Sequence, residues 1–260
     1  HTLYSLMVRI DLSDGIDLDF SSDRIEIKCD YPGVPEDGTN LAARAADLFF
    51  KTSGIKNTGV VISIDKQIPP GGGLGGGSSN AATVLNALNR NYQNPFSTGE
   101  LQALGLKLGA DVPFFIMGAP ALATGIGDRL DPFPHLMPWT VLLVYPNEAV
   151  STAWVYKNLN LRLTKDEKEL SKFHFDGRFF NVDEHLVNDL EAVTARAFPV
   201  IKGIKRLLLA HGAAGAMMSG SGSTVFGLFA DPERANSVCT ALCDNQQNNN
   251  WTLYVADLLI

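Results

Sequence analysis

The stretch PPGGGLGGGSSNAA, residues 69–82, says most about how this chain folds. It follows an alternating, strand-like run at residues 60–65 and leads into an apolar helical pattern that starts at Ala81. Glycines without a Cβ leave successive backbone N–H groups accessible, and a polar residue among 78–80 is expected to cap the helix. Bare amides and the positive end of the helix dipole then converge on one point, which predicts a phosphate-binding loop.

Three other interpretations of this stretch are a flexible linker, a Walker loop and a dinucleotide-binding loop. A linker is disfavoured because no spacer separates the glycines from the strand and the helix. The Lys-Ser/Thr ending of a Walker loop is missing. A dinucleotide fingerprint can be read at Gly71, Gly73 and Gly76, but it requires an acidic residue at a strand end about 20 residues later. At that place residues 101–103 read LQA, so neither standard nucleotide fold is predicted.

Three motifs in order resemble the GHMP kinases, which include galactokinase and the homoserine, mevalonate and phosphomevalonate kinases. They are the glycine-rich stretch 69–82, LGADVPFF at 108–115 and MSGSGSTVF at 218–226. The GGGSSN form of the first is similar to the branch that phosphorylates 4-diphosphocytidyl-2-C-methyl-D-erythritol. The resemblance covers nearly the whole chain and is loosest at 159–184. It implies an ATP-dependent kinase of the non-mevalonate isoprenoid pathway.

The same resemblance implies an α+β fold of two domains. The N-terminal domain would be ribosomal protein S5 domain 2-like and bind ATP over residues 1–138, and a ferredoxin-like C-terminal domain would follow over 139–260. Prolines before Thr140 mark this boundary, and the order of strands and helices in the second half independently suggests a ferredoxin-like unit. The family's first strand is expected upstream of His1, and residues 1–3 resemble the end of the Gly-Tyr-His turn that follows that strand, with His1 as its histidine.

Local patterns predict several elements. Residues 41–51 read as an alanine-rich helix, 60–65 as a strand and 81–90 as a helix. Ser97 and Glu100 have the spacing of a capping box.

Composition limits the possible functions. The chain has 260 residues, 45% of them hydrophobic, and a formal net charge of −7, which argues against a nucleic-acid binder. No apolar run approaches the roughly 20 residues that span a bilayer, so no membrane partner is expected. Three cysteines without metal-ligand neighbours predict free, buried thiols in a reducing compartment, and hence a cytoplasmic protein. A monomer or a homodimer is expected.

Asp111 is the candidate catalytic residue. Phosphoryl transfer to an alcohol needs a phosphate cradle, a group that accepts the hydroxyl proton, and positive charge or metal. Asp111 precedes the apolar run VPFF at 112–115. Because Pro113 can open a helix, a simple N-cap is the alternative role for Asp111. The aspartate of the matching family motif is the catalytic base, so the resemblance favours the base.

The resemblance implies the nucleotide contacts. The loop residues are Pro69, Pro70, Gly71, Gly72, Gly73, Leu74, Gly75, Gly76, Gly77, Ser78 and Ser79. Asn40 and Leu41 match the segment that meets adenine, although Asn40 can equally be an N-cap. Lys66 matches a lysine that lines the adenine pocket, although a lone surface lysine can also be solvated. Mg²⁺ is expected to be held mainly by the nucleotide phosphates, with a serine hydroxyl as a weak candidate ligand and no dedicated metal site.

The resemblance also implies contacts to the acceptor. His1 matches a histidine that meets cytosine, Thr152 a threonine near the transferred phosphate, and Tyr156 an aromatic that stacks on cytosine. A core aromatic is the alternative for Tyr156. The second glycine loop would close over the substrate diphosphate with the residues Gly220, Ser221, Gly222 and Ser223. The family's lysine beside the reacting hydroxyl belongs to the motif expected upstream of His1.

Two other functions stay open at this point. One is a GHMP kinase that acts on a different small alcohol, such as homoserine or a mevalonate derivative. The other is a non-catalytic nucleotide-binding protein on the same scaffold.

Overall fold

A computed structural model describes residues 3–159, 180–244 and 250–260 of the chain. The chain forms two compact units. The first comprises the chain up to Pro70 together with Gly75–Phe133. The second comprises Gly71–Leu74 together with Pro134–Ile260. Both units combine helices with sheets, as the predicted α+β class requires. None of the helices in the described ranges has the length and apolarity that crossing a membrane requires.

The first unit contains seven strands and four helices within its described residues. In chain order they are β1 (Leu3–Met7), β2 (Arg9–Ile10), β3 (Gly15–Asp19), β4 (Ile25–Lys28), α1 (Leu41–Ser53), β5 (Val60–Asp65), α2 (Gly76–Asn91), α3 (Thr98–Leu106), α4 (Val112–Met117), β6 (Ala121–Gly125) and β7 (Arg129–Pro132). One antiparallel sheet has the order β1-β6-β7. The other has the order β3-β5-β4, with β5 antiparallel to β3 and parallel to β4.

The core of the first unit joins the β3-β5-β4 sheet to the helices. Ile62 of β5, Phe49 of α1 and Leu85 of α2 have no exposed surface, and they belong to one apolar cluster with Val112 of α4. Burying such large apolar side chains is the main favourable contribution to folding. The cluster holds α2 and α4 in place, and each of these helices begins inside one of the three motifs.

Local sequence signals explain where most of these elements begin and end. Strand β5 has the predicted bounds, and the capping box of Ser97 and Glu100 is present at the start of α3. The predicted start of α2 at residue 81 is wrong, because the helix begins at Gly76 with Gly75 as its N-cap. Gly75 has φ +69°, a left-handed conformation that glycine adopts without strain. The polar residues 78–80 therefore lie inside the helix and do not cap it.

The second unit is built on one antiparallel sheet. Its elements are β8 (Thr140–Tyr145), α5 (Thr152–Asn158), α6 (Val182–His185), α7 (Glu191–Ala197), α8 (Val200–Ala210), β9 (Gly215–Met218), β10 (Val225–Phe229), α9 (Pro232–Asp244) and β11 (Thr252–Leu259). These strands lie in the order β11-β8-β10-β9. Val144 of β8 is paired with Val225 on one side and Leu253 on the other. The β-α-β-β-α-β order with the first and third strands central confirms the ferredoxin-like prediction.

The residue ranges of the two compact units differ from those of the two predicted domains, which meet at a single boundary between residues 138 and 139. The chain passes from the first unit to the second after Phe133, and Gly71–Leu74 also belongs to the second unit. The reason is backbone hydrogen bonding, because the carbonyls of residues 71–73 accept bonds from residues of the second unit. The assignment of nucleotide binding to the N-terminal domain stays a prediction.

Candidate active site

In the glycine loop, residues 69–77, three consecutive carbonyl groups are hydrogen-bonded while the neighbouring amide groups are not. The carbonyls of residues 71–73 accept hydrogen bonds in turn from the Val150 amide at 3.2 Å, the Thr224 amide at 3.1 Å and the Ser219 hydroxyl at 2.9 Å. Within the described parts of the chain, the amides of residues 71–77 donate to no protein acceptor. Since backbone N–H groups are strong donors, this row of free amides is suited to an anion.

Two positions of the loop admit glycine alone. Gly73 has φ +78°, and a Cβ there would lie 2.4 Å from the carbonyl oxygen of Ser219. Gly75 has φ +69°, and a Cβ there would lie 2.9 Å from the ring of Phe115. Any other residue at either position would combine backbone strain with a collision. The glycines therefore keep the loop close to its neighbours, as the sequence predicted for a cradle.

The N-terminus of α2 adds a dipole to the free amides. No side chain caps this helix, so its first N–H groups stay available, and the sixteen-residue helix directs its positive end toward the loop. Ser78 and Ser79 lie in its first turn. The point where a Gly109 Cβ would sit is 3.9 Å from the Ser78 hydroxyl oxygen, so the first turn of α2 approaches the turn that leads to Asp111.

Asp111 occupies the N-cap position of α4, but its side chain makes no capping hydrogen bond. The side chain keeps exposed surface, and the surrounding protein still displaces enough water for desolvation to raise the pKa of the carboxyl. A raised pKa makes the ionised carboxylate a better proton acceptor. No hydrogen bond of the Asp111 side chain supports a capping role, and the carboxylate is therefore available to accept a proton.

Lys66 is buried in an ion pair that the sequence did not reveal. Its ammonium lies 2.7 Å from an oxygen of Asp14, and the two side chains are 5% and 0% exposed. Asp14 also accepts bonds from the amides of Gln67 at 2.9 Å and Ile68 at 2.8 Å. A Cβ on Gly76 would lie 3.1 Å from the Lys66 ammonium. The solvated alternative for Lys66 is wrong, and the lysine instead supports the start of the glycine loop and of α2.

Asn40 and Leu41 differ in what their side chains contact. The Asn40 oxygen accepts from the Ala42 amide at 2.9 Å, and its nitrogen donates to the Pro35 carbonyl at 2.8 Å. Asn40 is thus the N-cap of α1, and its amide group is already used within the protein. Leu41 lies against the glycine loop, since its Cδ1 is 3.5 Å from where a Gly77 Cβ would sit.

The second glycine loop, residues 219–223, is held by several side-chain hydrogen bonds. The hydroxyl oxygens of Thr152 and Ser221 lie 2.8 Å apart, and the Ser223 hydroxyl donates to the Glu148 carbonyl. Gly220 and Gly222 both have positive φ angles. Thr152, at the start of α5, therefore contacts this loop, and its predicted place near the transferred phosphate stays a prediction.

Of the two residues predicted to contact cytosine, the structure describes Tyr156 but not His1. Tyr156 is half-buried on α5, whose fully buried residue is Val155. A tyrosine with part of its surface accessible is suited to stacking, and half-burial is also usual for a core tyrosine, so the role of Tyr156 stays a prediction. His1 lies outside the described residues. In the described ranges no three His, Cys, Asp or Glu side chains form a group that could hold a metal ion.

Two family models match the chain in the expected order. Residues 40–119 match the GHMP kinases N terminal domain, and residues 177–248 match the GHMP kinases C terminal model. Together these matches cover more than half of the chain. The chain belongs to the GHMP kinase family. This confirms the resemblance on which the fold and the ATP-dependent kinase activity were predicted.

Curated relatives place the chain within this family. It is 46% identical over 258 residues to the 4-diphosphocytidyl-2-C-methyl-D-erythritol kinase of Syntrophotalea carbinolica, covering 99% of this chain and 90% of that protein. It is 47% identical over 252 residues to the protein of the same name from Geotalea daltonii, covering 96% and 88%.

Solved structures agree with the fold. A crystal structure of 4-(cytidine 5'-diphospho)-2C-methyl-D-erythritol kinase superposes with a TM-score of 0.80 at 34% identity, covering 99% of this chain and 90% of that one. The Methanococcus jannaschii mevalonate kinase superposes with a TM-score of 0.74 at 16% identity, covering 97% and 90%. The second likeness shows the GHMP kinase fold alone.

Several residues around the site were missed from the sequence. Asp14 anchors Lys66, and Ser219 anchors Gly73. Asn188 and Thr194 bond to carbonyls of the second glycine loop or its flank. All of these contacts join residues that are far apart along the chain, so no local spacing pattern indicates them.

Proposed function

We propose that this GHMP kinase transfers the γ-phosphoryl group of ATP to the 2-hydroxyl of 4-diphosphocytidyl-2-C-methyl-D-erythritol, a step of the non-mevalonate route to isoprenoids. The row of free amides in the glycine loop is the observation that supports a phosphate cradle. The relatives that carry this name, at 46% and 47% identity over nearly the whole chain, support the choice of acceptor.

The nucleotide contacts follow from the loop. The triphosphate would lie on the amides of residues 71–77, where the dipole of α2 adds to them. Leu41, which lies against Gly77, would form an apolar wall for the base. Lys66 would line the adenine pocket as part of its neutral pair with Asp14. Asn40 would contact adenine through its backbone, because its side chain is already used as the N-cap of α1.

Mg²⁺ fits this set of residues as a partner of the nucleotide. Hydroxyl oxygens are ligands that Mg²⁺ accepts, and Ser78 and Ser79 lie in the first turn of α2, next to the glycine loop. One of these two serines would contribute to holding the ion, with the phosphates supplying most ligands. When bound, Mg²⁺ would offset the negative charge that develops on the transferred group.

Asp111 would accept the proton of the acceptor hydroxyl. Its carboxylate is free of any capping bond, and desolvation raises its pKa, which strengthens the ionised form as a base. Thr152 and Ser221, whose hydroxyls are 2.8 Å apart, would orient the phosphates of the acceptor, with the backbone of Gly220, Gly222 and Ser223. Tyr156 would stack on cytosine, and His1 is expected at the edge of the same ring.

The decisive experiment compares acceptors. The purified full-length protein with ATP and Mg²⁺ is expected to phosphorylate the cytidine-diphosphate-linked alcohol and to leave free methylerythritol phosphate, homoserine and mevalonate largely unreacted. Faster turnover of homoserine or mevalonate would favour the alternative GHMP kinase activity. Nucleotide binding without turnover of any acceptor would favour the non-catalytic alternative.

A matched pair of variants tests the cytosine contact. Tyr156→Ala is expected to raise KM for the cytidine acceptor by a factor that corresponds to a binding free energy of about 1–3 kcal/mol, the usual contribution of aromatic–base stacking. Trp154→Ala removes a 41% exposed aromatic from the same helix and should leave this KM unchanged. Equal effects of the two substitutions would contradict the role of Tyr156.

We also propose that the enzyme works in the cytoplasm. Cys29, Cys239 and Cys243 are free thiols, but the prediction that all three are buried is wrong, because Cys239 is half-buried and Cys243 is exposed near the end of α9. Burial together with the neighbouring Cys243 raises the pKa of Cys239 to about 11, so this thiol stays protonated and unreactive at neutral pH. Unpaired cysteines are typical of a reducing compartment.

A further inference from the structure

The turn that precedes α7 bonds to the chain on both sides of Ser219. The side-chain nitrogen of Asn188 donates to the Met218 carbonyl at 2.8 Å and to the Gly220 carbonyl at 2.8 Å. Its side-chain oxygen accepts from the Leu190 amide at 2.9 Å. Two acceptors on one side and a donor on the other fix the orientation of the amide group, because only the NH₂ end can serve both carbonyls.

Ser219, which Asn188 brackets, holds the first glycine loop. Its hydroxyl donates to the Gly73 carbonyl at 2.9 Å. Glu191 secures Met218 further, since its carboxylate accepts from the Met218 amide at 3.1 Å and pairs with Lys205 at 2.7 Å. A short series of bonds therefore connects the start of α7 with the loop whose amides are free.

The alternation of the peptide backbone makes this connection important for binding. When the carbonyl of a loop residue is held on one side, the N–H of the next residue, which belongs to the same planar peptide unit, is directed to the opposite side. Fixing the Gly73 carbonyl thus fixes the direction of the Leu74 amide. A cradle whose donors are held in place before the ligand arrives loses less entropy on binding.

We propose that Asn188 is a positioning residue for nucleotide binding. It would touch neither substrate and would act through Ser219 on the amides of the glycine loop. This inference rests on the proposed function, in which that loop receives the triphosphate of ATP.

Two substitutions separate the donors of Asn188 from its capping oxygen. Asn188→Ser keeps an oxygen that can accept from the Leu190 amide and adds no charge, but it removes both donors. Asn188→Asp keeps the capping oxygen and places a carboxylate oxygen against two carbonyls. Asn181→Asp is the matched control, because Asn181 is exposed and caps α6 through an equivalent bond to the Asp183 amide at 3.0 Å.

The measurements are ATP affinity by calorimetry, KM for ATP, kcat and Tm, all on the full chain. Asn188→Ser is expected to weaken ATP binding and raise KM for ATP about tenfold, as the loss of one part-buried and one exposed hydrogen bond predicts, with a larger effect in Asn188→Asp. The value of kcat at saturating ATP should change less than about threefold, and Asn181→Asp should match the wild type.

The outcomes distinguish this inference from the proposed function. If Asn188→Ser lowers Tm but keeps the wild-type ATP affinity and KM, the residue is only structural and the inference is wrong. If the wild type binds ATP but does not phosphorylate the cytidine acceptor, the proposed function fails, and reduced ATP affinity in Asn188→Ser would still support the positioning role. If Asn188→Asp does not fold, the uncharged Asn188→Ser variant decides the question.

Discussion

Removing one charge of the buried pair formed by Asp14 and Lys66 is expected to destabilise the first unit strongly. In Asp14→Asn, the side-chain oxygen can still accept the amides of Gln67 and Ile68, so those local bonds survive. The Lys66 ammonium, 5% exposed, would lose its counter-charge and keep only the Ile68 carbonyl as a partner. The substitution thus tests the charge and little else.

The expected magnitude follows from burial. Breaking a buried ion pair by removing one partner costs about 3–5 kcal/mol. A change of 1 kcal/mol shifts Tm by about 2–4 °C in a protein of this size, so Tm should fall by roughly 6–20 °C. Lys66→Met should destabilise similarly. The double variant should be less destabilised than the sum of the single variants by about 1–3 kcal/mol, because no unpaired charge is left behind.

The assay is thermal and urea unfolding of the four proteins of this cycle. Asp47→Asn is the matched control, because Asp47 pairs with Lys51 on α1 at 2.6 Å while 50% exposed. That exposed pair should contribute less than about 0.5 kcal/mol. If Asp14→Asn shifts Tm as little as Asp47→Asn, or if the two single effects simply add, the buried pair does not carry the stability argued here.

Three further predictions concern the site. Asp111→Asn should lower turnover by a factor of about 10²–10⁴. Its Tm at neutral pH should equal or slightly exceed that of the wild type, because the wild-type carboxylate must ionise although desolvation raises its pKa. This difference in Tm should close as the pH falls and the wild-type carboxylate becomes protonated. Ser219→Ala should raise KM for ATP severalfold by releasing the Gly73 carbonyl, whereas Ser97→Ala, which removes the capping box of α3, should lower Tm by a few degrees and leave KM unchanged. ATP at a hundred times its Kd should stabilise the wild type by about 2.7 kcal/mol in a thermal-shift assay, and Gly73→Ala, whose Cβ would meet the Ser219 carbonyl, should abolish that shift.

Features that depend on nearby residues were predictable from the sequence. The β5 strand and the capping box of α3 depend on residues within one strand or one helical turn, and both are present as expected. The ferredoxin-like order also follows from the sequence of elements along the chain. Such signals are readable because the interacting groups are separated by few residues.

Features that depend on distant residues were not predictable. Asp14 and Lys66 are separated by 52 positions, and Asn188 and Met218 by 30, so neither pair leaves a periodic or spaced pattern. The start of α2 was misplaced for a different reason. Polar residues 78–80 look like caps, but Gly75 begins the helix through its backbone conformation and leaves the terminal amides without a side-chain partner. The rule that a polar side chain caps the helix N-terminus fails here, because the first amides of α2 are left without a side-chain acceptor.

The four residues Gly71–Leu74 affect the order in which parts of the protein can fold during translation. The Gly73 carbonyl can be bonded only after Ser219, 146 positions later, has been synthesised, and the Gly72 carbonyl only after Thr224. Contacts of such long sequence separation form late, because a long loop must close before they stabilise anything. A nascent chain that ends before Ser219 can therefore build the helices and sheets of its N-terminal unit without a finished phosphate cradle. For the same reason no single proteolytic cut separates this chain into two intact halves, since a break after Phe133 leaves Gly71–Leu74 on the other fragment.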